Sequence, residues 1–184
     1  ALSYLRSRIT PAGLVDSYVE DGVDYSYTYD NALAALAFIS AGDFVSARKI
    51  LDAFNSMPTE PAGGYLHRYD SQTKLPVEGI LYAGPNAYLL QAMNLYFLGS
   101  ADDRYNALAQ RLANFLLTLQ DADGGLFGRP TVTWKSTENN LGALCALHNL
   151  GKLQGIALYI DRAALIRNFL VTECWDGVRF LQGE

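Results

Sequence analysis

Residues 31–42 read NALAALAFISAG, residues 86–99 read NAYLLQAMNLYFLG and residues 140–151 read NLGALCALHNLG. None of the three contains Asp, Glu, Lys or Arg, and His148 is their single imidazole. A helix that is apolar all round has no face to give to water, so it must be enclosed by protein. Each stretch is therefore expected to be an inner helix, closing at Gly42, Gly99 or Gly151 in the left-handed conformation that commonly ends helices.

The segment after each stretch has a different pattern. Arg48, Lys49 and Asp52 come after the first, Asp102, Asp103, Arg104 and Arg111 after the second, and Asp161, Arg162 and Arg167 after the third. In the second case Leu108, Leu112, Phe115, Leu116 and Leu119 recur on one side at helical spacing, as a surface helix requires. These are expected to be outer helices. The alternation makes an internal repeat of about 50 to 60 residues, the mark of stacked supersecondary units. Each outer helix leads into a glycine turn: Gly63-Gly64-Tyr65-Leu66, Gly124-Gly125-Leu126-Phe127 and Gly177-Val178-Arg179-Phe180. A fourth copy, Gly13-Leu14-Val15, succeeds an amphipathic start at Leu2 to Ile9, so the chain is expected to begin inside one repeat and stop inside another.

The chain has 184 residues, half of them apolar, enough for one domain with a full core. No run of about 18 apolar residues exists to span a membrane. Nineteen acidic against 14 basic residues give a net charge of −5, and the longest basic cluster is Arg48-Lys49, which argues against a nucleic-acid partner. Cys145 and Cys174 make neither a metal-ligand spacing nor a disulfide framework and are expected to be small buried thiols. The chain opens on Ala1 without a signal-peptide pattern, which leaves the compartment unknown. Twelve tyrosines against 8 phenylalanines are many, and a phenol offers a sugar both a flat face and a hydroxyl.

Helical hairpins packed side by side point every inner helix the same way, so their N-termini collect on one rim together with the long loops. Asp30 and Glu138 both open inner helices there and are expected to share a cavity. They are preceded by Tyr25 to Tyr29 (YSYTY) and by Trp134 to Thr137 (WKST), and Asn139 comes directly after the second. Two acids in an aromatic-lined cavity fit glycoside hydrolysis, one protonating the leaving oxygen and the other activating water or attacking the sugar. The plainer account makes Asp30 an N-cap and Glu138 a first-turn acid behind Ser136 or Thr137, both serving only the helix.

The rim segment from Gly63 to Pro85 is long for a compact domain and holds Tyr65, His67, Arg68, Tyr69, Asp70, Glu78 and Tyr82. Alternation of Tyr65, His67 and Tyr69 predicts a short strand paired with Val77 to Tyr82. Its side chains are candidate sugar contacts, with Glu78 a third candidate acid. His67 lacks a second histidine beside it to make a metal pair, because His148 is expected to be buried within a helix. Asp121-Ala-Asp-Gly-Gly125 lacks the further ligands of a calcium loop and is read as a turn.

The block YTYDNALAALAF (27–38), the Ala-Gly-Asp at 41–43, GGYLHRYD (63–70) and TWKSTENNLGALCAL (133–147) resemble the six-hairpin glycosidase superfamily. The resemblance implies an all-α fold, a partial (α/α) helical-hairpin toroid with about three inner and three to four outer helices and short β-hairpin-like rim loops. It implies an oligo- or polysaccharide substrate, no cofactor and no metal, and, as often in bacterial relatives, secretion or a periplasmic place. The catalytic acid and base of such proteins carry over to Asp30 and Glu138, whereas the third equivalent position is Pro85. Tyr27, Tyr29, Tyr65, His67, Arg68, Tyr82, Trp134 and Asn139 are the expected substrate contacts. Three inner helices make half a ring, so residues 1–184 are expected to be one partial domain, completed by a missing C-terminal half or by a second copy in a homo-oligomer.

LQDADGGLFGRP (119–130) also resembles the repeat of terpene cyclases and protein prenyltransferase β-subunits, whose aspartate-rich or zinc-binding sets are not assembled here. The expectation is thus a glycoside hydrolase. A non-catalytic glycan- or protein-binding repeat module is the first alternative and an isoprenoid toroid the second.

Overall fold

The computed structural model describes residues 1–18, 22 and 24–183. Its elements in chain order are α1 (Leu2–Ser7), β1 (Tyr25–Tyr27), α2 (Thr28–Ser40), α3 (Phe44–Ser56), β2 (Arg68–Asp70), β3 (Pro76–Glu78), α4 (Ala83–Ser100), α5 (Asn106–Thr118), α6 (Thr137–Gln154) and α7 (Ala157–Thr172). The uncharged stretches lie in α2, α4 and α6, which form an inner row with α4 between the other two, and α3, α5 and α7 back them as outer helices. Ala87, Leu89, Leu90, Ala92 and Met93 of α4 are enclosed, as are Ala113, Phe115 and Leu116 of α5. Burying each of the larger of these side chains stabilises the fold by about 1.5–3 kcal/mol.

Only the middle helix is enclosed on both flanks. Leu33 of α2 is 39% exposed and Leu141 of α6 is 40% exposed, and Cys145 and His148 of α6 also face solvent. This corrects the expected burial of His148 and Cys145: α2 and α6 have one inner-row neighbour each, so one flank of each stays open. Cys174 is buried as expected.

The inner helices also run beyond the expected glycines. α4 continues through Gly99 to Ser100 and α6 through Gly151 to Gln154, with the left-handed closing residues at Ala101 and Gly155. Gly99 and Gly151 serve packing instead: a Cβ on the first would come within 2.6 Å of the Phe44 ring, and one on the second within 2.7 Å of Ile160 Cγ1. Of the three positions, Gly42 alone is left-handed.

A repeated staple fixes the rim. Asn31, Asn86 and Asn140 each stand fourth in their inner helix, fully buried. Their Oδ1 atoms accept the backbone N–H of Val15 (2.8 Å), Tyr65 (2.7 Å) and Leu126 (2.7 Å), each two residues after a glycine turn. Their Nδ2 groups donate to the carbonyls of the N-cap residues Tyr27 (2.8 Å), Tyr82 (2.9 Å) and Ser136 (2.9 Å). Gly13, Gly63 and Gly124 enter those turns at φ of +91°, +96° and +92°, a region costly for other residues. An amide side chain that satisfies a buried donor and a buried acceptor at once ties each loop to the helix after it.

A hairpin is present as expected but with shifted bounds, β2 starting at Arg68, after Tyr65 and His67, and β3 ending at Glu78, with Arg68 opposite Glu78; β1 joins it as a third antiparallel strand, pairing Tyr25 with Asp70 and Tyr27 with Arg68. The Asp121 loop is a turn as expected, and the buried Lys135 ammonium fills it, 3.0 Å from Asp121 and also paired with Asp123.

Candidate functional site

The staples bring the first turns of α2, α4 and α6 to one rim. Tyr29, the second residue of α2, reaches past α4 so that its hydroxyl donates to Glu138 Oε1 at 2.9 Å, and its ring meets Tyr88 edge-on at 5.0 Å. Between them α4 begins Ala83-Gly84-Pro85, and a side chain on Gly84 would collide with the Asn139 amide. Burial and the neighbouring Glu138 push the Tyr29 phenol up, so it stays a donor at neutral pH.

Beside this contact lies a cleft of about 320 Å³ lined by His67, Tyr82, Pro85, Trp134, Ser136 and Asn139. The His67 ring stands edge-on between Tyr27 (4.8 Å) and Tyr82 (4.9 Å), and its Nδ1 is buried without a hydrogen-bond partner among the described residues. Burial lowers its affinity for a proton, opposed by the charges of Glu78 and Asp30, so the imidazole is neutral at pH 7. Trp134, 42% exposed, lies over Gly128, where any Cβ would strike the indole. Its loop is anchored by the Gly128 N–H donating to the Trp134 carbonyl (3.0 Å) and the Ala83 N–H to the Gly128 carbonyl (2.9 Å).

The other expected residues are more scattered. Asp30 stands third in α2, with Tyr27 at the N-cap, so it is a first-turn acid and not a cap. It borders a second hollow, shared with Tyr4, Arg8, Asp16, Ser17 and Leu33, while its charge reaches His67. Glu138 stands second in α6 behind the Ser136 cap, the arrangement the plainer account expected. Arg68 lies 4.5 Å from the centre of the Tyr25 ring, donates to the Tyr27 hydroxyl (3.3 Å) and faces Glu78 at 3.7 Å, which engages that acid as well. Tyr65 is a correction: it is 1% exposed and its hydroxyl donates to the Phe54 carbonyl, because the Asn86 staple turns it into the core and away from any ligand. Among the described residues no group of three metal-ligating side chains occurs.

No family model matches the sequence, and no curated protein does. Solved structures match in fold. A cellobiose 2-epimerase from Bacillus thermoamylovorans B4167 superposes with a TM-score of 0.83 at 14% identity over 99% of this chain and 55% of its own. A D-mannose isomerase gives 0.77 at 18% over 98% and 53%, and an unsaturated glucuronyl hydrolase specific for heparin gives 0.74 at 15% over 95% and 54%. The chain has the fold of half a six-hairpin (α/α) toroid.

It spans about half the length of these matches, in keeping with three inner helices. In the half-toroid, the rim of inner-helix N-termini holds Tyr29, Glu138, Asn139 and, on the adjoining loops, His67, Tyr82 and Trp134. Sequence reasoning missed the asparagine staples, although each uncharged stretch begins with one of them. It also missed Arg129, whose guanidinium carbon sits 5.8 Å from the Tyr82 ring centre.

Proposed function

We propose that this half-toroid belongs to a carbohydrate-active protein, and more narrowly to a glycoside hydrolase with Glu138 as proton donor and Asp30 as base or nucleophile. The observation that carries the reading is the Tyr29–Glu138 hydrogen bond beside the cleft of His67, Tyr82, Trp134 and Asn139. A carboxyl held by a phenol donor at the edge of an aromatic hollow suits an acid that works on a sugar stacked there. Tyr27, Tyr29, Tyr82 and Trp134 offer ring faces and hydroxyls, Asn139 an amide, and His67 a neutral imidazole, while Arg68 steadies the strand that begins directly after His67. The similarity of fold to sugar hydrolases and sugar isomerases is consistent with the class of substrate. In this reading the rest of the ring comes from further chain or a second copy. Incubation with a panel of neutral and acidic oligosaccharides, read by reducing-end release, tests it: cleavage lost in Asp30→Asn and in Glu138→Gln supports the pair, and cleavage kept in both removes it.

A second reading rests on His67. A neutral imidazole with a free buried nitrogen, between two tyrosines, suits proton transfer at a sugar carbon, and two of the similar folds are an isomerase and an epimerase. Proton NMR of the products separates the readings, since isomerisation changes the sugar without shortening it.

A further inference from the structure

One charge beside the rim cleft has no acid partner among the described residues. Arg129 is partly buried, its Nε is shut off from water without a hydrogen-bond partner, and among the described residues its guanidinium has no acid beside it. Of the other half-buried basic groups, Arg8 pairs with Asp16, Arg68 with Glu78 and Lys135 with Asp121 and Asp123, while Lys74 donates to the Ser56 hydroxyl. A buried guanidinium N–H without an acceptor is costly to keep. Arg129 also adjoins two walls of the cleft, lying within cation–π range of Tyr82 and coming directly after Gly128, the residue that Trp134 covers.

We propose that Arg129 is the anion-recognising corner of this cleft, and that the sugar unit bound there carries a negative charge, a carboxylate or a sulfate. The inference rests on the reading of the rim cleft as a sugar site and adds the charge of the sugar. A guanidinium presents parallel N–H donors that match two oxygens of either group, and its carbon lies 5.8 Å from the centre of the Tyr82 ring that lines the cleft. The protein is acidic overall, with a net charge of −5, so a local cation is needed for an anionic saccharide to settle at this place.

The test is titration calorimetry of the parent and of Arg129→Gln and Arg129→Lys with trigalacturonic acid, its uncharged methyl ester and a sulfated trisaccharide. The parent is expected to bind one of the charged sugars at least about tenfold tighter than the ester. The Gln variant should bind acid and ester alike, and the Lys variant should keep part of the preference. Tighter binding of the sulfated than of the carboxylated sugar assigns the anion as sulfate, and the reverse assigns it as a uronate. Ester bound as tightly as both charged sugars, or a preference that survives Arg129→Gln, overturns the inference and leaves the rim-cleft reading standing. Failure of all three sugars to bind, or binding unchanged by Trp134→Ala, defeats the rim-cleft reading and this inference with it. Thermal melting of each variant checks that the fold persists.

Discussion

Tyr29 and Glu138 stand 109 positions apart in the chain and meet at 2.9 Å, joining the first turn of the first inner helix to the first turn of the third. The contact skips over α4, whose opening Gly84 leaves room for the Asn139 amide.

Tyr29→Phe keeps the ring against Tyr88 and removes only the donor. The hydrogen bond lies at a partly exposed site, so the loss in stability should stay near 0.5–1.5 kcal/mol. Turnover on the substrate should fall more steeply than stability, because the carboxyl loses its positioning partner. Melting curves beside kcat measurements check this, and an unchanged kcat contradicts a functional role for the contact.

The staples make a prediction about folding alone. Asn86→Ala leaves the Tyr65 N–H and the Tyr82 carbonyl buried without their side-chain partner, at a cost of about 1–3 kcal/mol. Asn31→Ala and Asn140→Ala should cost similar amounts, because their bonds have the same geometry. Urea midpoints at unchanged slope are the measurement, and three unequal losses with one near zero would show that the repeat is not equivalent in energy.

His67 sets a pH dependence whose sign is fixed by its depressed proton affinity. The unfolded chain binds this proton more readily than the folded one, so folding is penalised at low pH. The penalty begins as pH falls below the ordinary histidine value of about 6.5 and is complete below the lowered folded value. The parent should therefore lose stability between neutral and mildly acidic pH relative to His67→Gln. Equal slopes of Tm against pH in the two proteins would contradict it.

The alternation of inner and outer helices was legible because charge is absent from α2, α4 and α6 and present on their successors. The β2–β3 hairpin was legible from the alternation of His67 and its neighbours. Exposure of His148 and Cys145 was not, since the number of neighbours around α6 is a property of the stack and leaves no trace in its own residues. The strand Tyr25–Tyr27 was too short to stand out beside the helix it precedes. Gly99 and Gly151 looked like helix ends because packing glycines and capping glycines are identical in a sequence. Asn31, Asn86 and Asn140 were visible at equal places in each repeat, yet their role depends on turn residues 16, 21 and 14 positions earlier, a separation that local spacing rules do not reach. The first-turn places of Asp30 and Glu138 were legible, whereas the phenol that reaches Glu138 comes from 109 positions away.

The proposed hydrolysis needs both rim acids, Glu138 beside the cleft and Asp30 at the second hollow. Its most direct measurement is the rate of oligosaccharide cleavage by the parent, by Asp30→Asn and by Glu138→Gln, with Tm recorded for each. Each substitution is expected to lower kcat by about a hundredfold or more while Tm stays close to that of the parent. A parent that cleaves, with both variants cleaving at its full rate, would contradict it.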